Sequence, residues 1–248
     1  MRVAVVTGGG GGIGRAVASR LRAGATVVVA ERDLEVARAG IEALGAEGGG
    51  LSPLAVDVCD PASVREAFAA VAAQHGRLDV LVNCAGLSIR GPSEDYAVDS
   101  WDTVLDTNLR GTFLCCQAAG RIMIGQRSGR IVNIGSTAAA GGFPGRAAYC
   151  ASKAGVVALT QVLAVEWAPF GVQVNCVSPA HTRSALLEDA MRGGFVNQQD
   201  LLRRLPVGRL GEPEDIANVV AYLATSATEF LTGVNLYVDG GWTAQGII

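Results

Sequence analysis

Five consecutive glycines occupy positions 8–12, directly after an apolar, β-branched run at 2–7 and before the helical pattern Ile13-Gly14-Arg15-Ala16-Val17-Ala18. No other stretch constrains the fold as strongly. Glycine admits backbone conformations closed to other residues, and bare N–H groups at a helix N-terminus make a cradle for an anion. A strand, a glycine turn and a helix in this order predict a dinucleotide-binding βαβ unit. The turn lacks a Gly-Lys-Ser/Thr ending, which argues against a phosphate-loop NTPase.

The same alternation continues along the chain. Further strands are predicted at 25–30, 51–57, 79–83, 130–136, 172–178 and 234–239. Helices are predicted at 13–23, 33–44, from 60 onward, and at 100–124, 148–169 and 213–225. Asp33 reads as an N-cap, and Asp60-Pro61 puts proline in the first turn, where its missing N–H costs nothing. Strands alternating with helices imply right-handed crossovers, and so an α/β, doubly wound (Rossmann-type) fold with a central parallel sheet and helices on both faces. No linker, repeat or charge block divides residues 1–248, which are expected to form a single dinucleotide-binding and catalytic domain.

Half of the residues are hydrophobic and 17% charged, enough for a large core, and a net charge of −3 gives no nucleic-acid footprint. Six cysteines show no CxxC pairing and two histidines are too few for a zinc cluster, so no metal is expected. The chain enters a strand directly after Met1 and contains no apolar run of about 18 residues. Neither a signal peptide nor a membrane partner is therefore expected, and a cytoplasmic location is.

Chemistry concentrates at Tyr149 and Lys153, four residues apart in an alanine-rich helical stretch and so stacked on one face. Lys153 is the only lysine among the 20 basic residues; every other one is arginine. A phenol is a poor acid at neutral pH, but a cation beside it favours the phenolate and allows proton exchange with a substrate. Upstream, Glu31 closes the second strand, where a carboxylate accepts from ribose hydroxyls and repels a 2′-phosphate. Arg32 beside it is the contrary signal, since it can pair with that phosphate. On balance NAD is favoured over NADP.

Together these motifs resemble the short-chain dehydrogenase/reductase family over essentially the whole chain. Thr7-Gly8-x3-Gly12-Ile13-Gly14 resembles its cofactor loop, Asp57-Val58 its adenine-contacting pair, and Asn83-Cys84-Ala85-Gly86 its strand-four motif. Asn108, Ser136, Tyr149 and Lys153 fall where the family carries a catalytic tetrad, with Ser136 thirteen residues before Tyr149. The resemblance implies that Tyr149 is the general acid/base and that Ser136 donates to the substrate oxygen. It implies that Lys153 binds the nicotinamide ribose and favours the phenolate, and that Asn108 holds a water linking the lysine to solvent. Pro179, Thr182 and Ser184 follow as cofactor contacts, Thr182 through its backbone. Gly11, where NADP-preferring members often carry a basic residue, supports NAD. Two positions depart from the pattern: Glu31 stands for the usual aspartate, and Pro179-Ala180 for Pro-Gly.

The expected activity is hydride transfer between NAD(H) and a secondary alcohol or ketone. An NADPH-dependent 3-oxoacyl thioester (acyl carrier protein) reductase is the alternative, because Arg209-Leu210-Gly211 and the tail resemble such enzymes. A catalytically silent dinucleotide-binding module is a third reading. Residues 184–205 correspond to a substrate lid with Gly193-Gly194 as hinge, and their mixed composition points to a medium-sized substrate without strong charge. His181 and Arg90 stand as residues that can face it. The tail, including Ile247 and Ile248, and the apolar helix faces at 112–124 and 155–164 are consistent with the homotetramer that the family implies.

Overall fold

The computed structural model describes residues 1–45, 50–225 and 230–245. Ile247 and Ile248 lie outside these. Seven strands, β1 Arg2–Thr7, β2 Ala25–Glu31, β3 Leu51–Ala55, β4 Val80–Asn83, β5 Gly129–Ile134, β6 Val172–Pro179 and β7 Asn235–Val238, form one sheet in the order β3-β2-β1-β4-β5-β6-β7. Every pairing is parallel. The central strands are buried on both faces, which is why they read as continuous apolar runs rather than alternating ones. Pro53 is accommodated because β3 lies at the sheet's edge.

Helices α1 Gly12–Leu21, α2 Leu34–Glu42 and α9 Pro213–Thr225 cover one face, where Val17, Leu21, Ile216 and Val220 pack on Val27 and Val82. On the other face lie α3 Pro61–His75, α4 Val98–Leu105, α5 Gly111–Gln126 and α6 Ala147–Trp167, with Phe68, Cys115, Met123 and Leu163 packed on Leu81 and Ile131. Burying one such side chain contributes about 1.5–3 kcal/mol. The predicted cap at Asp33 forms, its side chain accepting from Glu35 N–H, and Pro61 opens α3 as predicted, with Asp60 as its cap accepting from Ala62 N–H.

Two expectations are corrected. The helix expected at 100–124 is interrupted by a π turn, Asp106–Arg110, which joins α4 to α5 and contains Asn108. One inserted residue re-aims the helix face without breaking it, so the sequence periodicity hides it. The segment expected to be irregular holds two short helices, α7 Ala185–Arg192 and α8 Gln198–Arg203, with Gly193 and Gly194 between them. Their apolar sides gather Leu187, Leu201, Leu205 and Leu210 around Trp242.

By length and composition the stretch Ala147–Phe170 is apolar enough to cross a membrane. In the fold it is a core helix, with Ala148, Val156, Leu163 and Lys153 buried.

Candidate active site

The carboxyl ends of β1, β2, β4, β5 and β6 lie along one edge of the sheet, where β1 and β4 run side by side and the chain's winding reverses. In doubly wound sheets such a switch point opens a crevice for ligand. Here it opens a cavity of about 570 Å³, and every residue predicted for the site reaches it except Asn83 and Asn108.

The glycine loop forms one wall. Gly8 has φ +64°, and a Cβ there would stand 2.8 Å from Ala85 N. A Cβ on Gly14 would lie 2.0 Å from Gly8 O, so the first turn of α1 closes onto the loop only without a side chain. Glu31 accepts from Gly10 N–H at 2.9 Å, tying the loop to the end of β2. What remains is bare backbone at a helix N-terminus beside a carboxylate, which fits the pyrophosphate and ribose of a dinucleotide. Gly14→Ala is expected to cost about 1–3 kcal/mol of stability by overpacking and to abolish tight NAD binding. Gly11→Ala, with open space around its Cβ, should leave both intact. Thermal unfolding with and without NAD checks the pair.

Asp57 caps the turn after β3, its Oδ1 accepting from Cys59 N–H at 2.9 Å. Ser184 caps α7 by accepting from Leu187 N–H at 3.4 Å, so that helix is rooted in the cavity wall. Thr182 is fixed by a parallel bridge to Gly211.

Opposite the loop stand Ser136, Tyr149 and Lys153. Ser136 follows β5, and its Oγ accepts from Ala138 N–H at 3.1 Å, which leaves its own hydrogen free to donate into the cavity. Tyr149 and Lys153 lie on one face of α6. Lys153 Nζ donates to Ile134 O at 2.7 Å and sits 5.8 Å from the Tyr149 ring centroid. The buried ammonium has no carboxylate partner among the described residues. Beside it, burial pushes the Cys84 thiol up to about 12, so that group is neutral.

Asn108 is fully buried behind this group. Its Oδ1 accepts from Leu87 N–H at 2.8 Å, and its Nδ2 donates to Leu87 O at 2.9 Å and Ser152 Oγ at 3.1 Å. The π turn thus pins the loop after β4 against α6. Asn83 turns away from the cavity and donates to Asn133 Oδ1 at 2.9 Å, while Asn133 donates to Thr160 Oγ1 at 3.0 Å. This buried polar chain fixes β4 and β5 on α6, and sequence reasoning had assigned Asn83 to the cofactor instead.

At the end of the cavity next to Tyr149 stands His181, which the sequence reading allowed to face substrate, together with Arg146 and Phe143, which escaped that reading. Arg146 lies over the Tyr149 ring, its Cζ 4.3 Å from the centroid. Phe143, His181 and Trp242 form an aromatic group, with His181 4.7 Å from Trp242 and Phe143 stacked on Trp242 at 6.2 Å. Trp242, part of the tail expected at subunit contacts, is buried against Leu187 of α7 and Leu201 of α8.

Burial, with Arg146, Arg90 and Arg204 nearby, pushes His181 down to about 4. The unfolded chain takes up this proton near pH 6.5 and the folded one only near 4, so stability falls as pH drops through that window. His181→Phe is expected to remove up to about 2 kcal/mol of this acid-side loss, after allowance for partial exposure. The check is a comparison of thermal midpoints at pH 7 and pH 4.5.

A dinucleotide cradle, a hydroxyl donor and a phenol–ammonium pair in one crevice define a nicotinamide-dependent oxidoreductase. The comparisons with known proteins narrow this. A family model described as enoyl-(acyl carrier protein) reductase matches residues 8–243. A D-threitol dehydrogenase of Mycolicibacterium smegmatis is 42% identical over 246 residues, covering 98% of this chain and 94% of that protein. An NAD-dependent glycerol dehydrogenase of Listeria innocua is 36% identical, with 98% and 94% covered, and the 3-oxoacyl-[acyl-carrier-protein] reductase of Staphylococcus aureus is 40% identical, with 96% of each covered. The solved structure of levodione reductase superposes with a TM-score of 0.94 at 31% identity, covering 99% of this chain and 98% of that one. The chain belongs to the short-chain dehydrogenase/reductase family.

Proposed function

We propose that this oxidoreductase transfers hydride between NAD(H) and a secondary alcohol or ketone, with Tyr149 as general acid/base. The observation that carries the reading is Lys153. The chain's only lysine is buried with its ammonium donating to Ile134 O at 2.7 Å, beside the phenol and at the cavity wall. The bound dinucleotide supplies a nicotinamide ring that exchanges hydride with the carbinol carbon. Ser136 donates to the substrate oxygen and orients it. Tyr149 takes or returns that oxygen's proton, and Lys153 favours the phenolate and holds the ribose. Asn108 positions this group through Leu87 and Ser152. Residues 1–248 then act as one catalytic domain, with α7 and α8 as a lid turning about Gly193-Gly194.

NAD preference is supported by the Glu31 carboxylate at the cavity and by the open space at Gly11, against Arg32 on the same wall. The relatives are mixed: one is named NAD-dependent, and a neighbour 30% identical was solved with NADP bound. Initial rates with both cofactors over a panel of secondary alcohols test this. Catalytic efficiency with NAD is expected to exceed that with NADP at least about tenfold, the effect of roughly 1.4 kcal/mol; a preference for NADP would overturn the assignment. The second reading, an acyl-thioester reductase, draws on the Staphylococcus aureus relative and the family model. Reduction of an acetoacetyl thioester by NADPH faster than any simple ketone by NADH would favour it.

The assembly is proposed as a cytoplasmic homotetramer. Supporting it are Phe113 on α5 and Val162 and Val165 on α6, which leave a helix face apolar and exposed.

A further inference from the structure

Among the described residues, seven of the 19 arginines form an ion pair with a carboxylate, as in Arg38–Glu35, Arg77–Asp79, Arg183–Glu212 and Arg209–Asp215. Arg90 and Arg146 do not, and both line the cavity at the end that holds Tyr149. They arrive from different loops, one after β4 and one before α6. A backbone bond from Gly91 N–H to Gly145 O at 3.1 Å clips those loops together.

Neither guanidinium is paired with an acid among the described residues. Arg146 reaches Ser88 Oγ at 3.4 Å, and its Nε is shut off from solvent without a hydrogen-bond partner. Arg90 lies 5.5 Å from the ring of lid residue Phe195 and is near enough to Arg146 for that cation to act on it. Burial and the neighbouring Arg146 hold Arg90 below the ordinary arginine value, and the same two cations bear on neutral His181. Two like charges in a partly desolvated pocket are unfavourable unless an anion joins them. The carboxylates that reach the cavity, Glu31 and Asp57, serve the glycine loop and the turn after β3.

We propose that Arg90 and Arg146 form an oxyanion-binding subsite, and that the substrate is a secondary alcohol or ketone bearing a carboxylate or phosphate ester within a few bonds of the reacting carbon. The short span follows from Arg146, whose guanidinium lies over the Tyr149 ring at 4.3 Å. A planar guanidinium fork matches a carboxylate or phosphate edge and fixes which carbon faces the phenol. Phe195, packed beside Arg90 on the lid, completes the subsite on closure. This replaces the expectation of a substrate without strong charge, and it rests on Tyr149 being the acid/base.

The test is a set of matched pairs with NAD: β-hydroxybutyrate against sec-butanol and γ-hydroxyvalerate against sec-pentanol for the carboxylate, and glycerol phosphate against glycerol for the phosphate ester. At least one anion should exceed its neutral partner in kcat/KM by about 10- to 100-fold, as expected for charge-assisted hydrogen bonds. The pair that does so identifies the oxyanion. In Arg90→Gln and Arg146→Lys that ratio should collapse toward unity through a raised KM. Inhibition of the wild-type, NAD-loaded enzyme by acetate or inorganic phosphate, competitive with the alcohol, supports the subsite without a variant. Neutral alcohols that are turned over as well as every anionic partner would overturn it while leaving the proposed activity standing. Failure of every compound to reduce NAD would remove the proposed activity and this subsite with it.

Discussion

Tyr149→Phe is expected to lower kcat by about 10²–10⁴-fold, the range that a positioned general acid/base contributes. The substitution removes one hydroxyl and little else. The ring packs under Arg146 at 4.3 Å and beside Lys153 at 5.8 Å, and phenylalanine retains both contacts. The residue's backbone oxygen still accepts from Ser152 Oγ at 2.8 Å, so the start of α6 is undisturbed. Thermal stability and NAD affinity should therefore stay close to wild type. A kcat within about threefold of wild type, against the factor of at least about 10² expected, would mean that another group moves the proton.

Lys153→Met should be nearly as damaging to turnover but should separate catalysis from stability. The methionine fills a similar volume and removes a buried ammonium whose neighbours include Ile134 O but no described carboxylate. Replacing a buried charge that lacks a counter-ion by an apolar group of similar shape is often neutral or stabilising. The unliganded variant is thus expected to unfold at or above the wild-type temperature while kcat falls about 10²-fold or more and the KM for NAD rises. Loss of activity accompanied by a lowered melting temperature would instead make Lys153 a structural residue.

The fold was legible because parallel strands buried on both faces must be written as short β-branched runs, and β1, β2, β5 and β6 are. The π turn at Asp106–Arg110 was not, since one extra residue leaves the 3.6-residue periodicity almost unchanged while moving Asn108 toward Leu87. The lid helices were hidden for a different reason. They are short, and their apolar sides are held by Trp242 from a distant part of the chain and by Leu205 and Leu210 just beyond α8.

In the site, local spacing carried the information. Glycines before a helix and a tyrosine one turn from a lysine can be read directly. Arg146, three residues before Tyr149, carried the same kind of signal and could have been found from it. Arg90 was expected as a residue able to face substrate, but its pairing with Arg146 could not be read, because the two meet only through the Gly91–Gly145 clip between loops far apart in sequence. Asn83, expected as a cofactor contact, points its side chain along β4 and β5 into the Asn133–Thr160 chain, a long-range pairing that local spacing does not show.

The most direct test of hydride transfer at this site uses a secondary alcohol deuterated at the carbinol carbon, with NAD and the wild-type and Tyr149→Phe proteins side by side. Mass analysis of the reduced cofactor should find the deuterium in it for the wild type, with formation slowed by about 10²-fold or more in the variant. Deuterium released to water, or label reaching the cofactor equally fast in both proteins, would contradict the account.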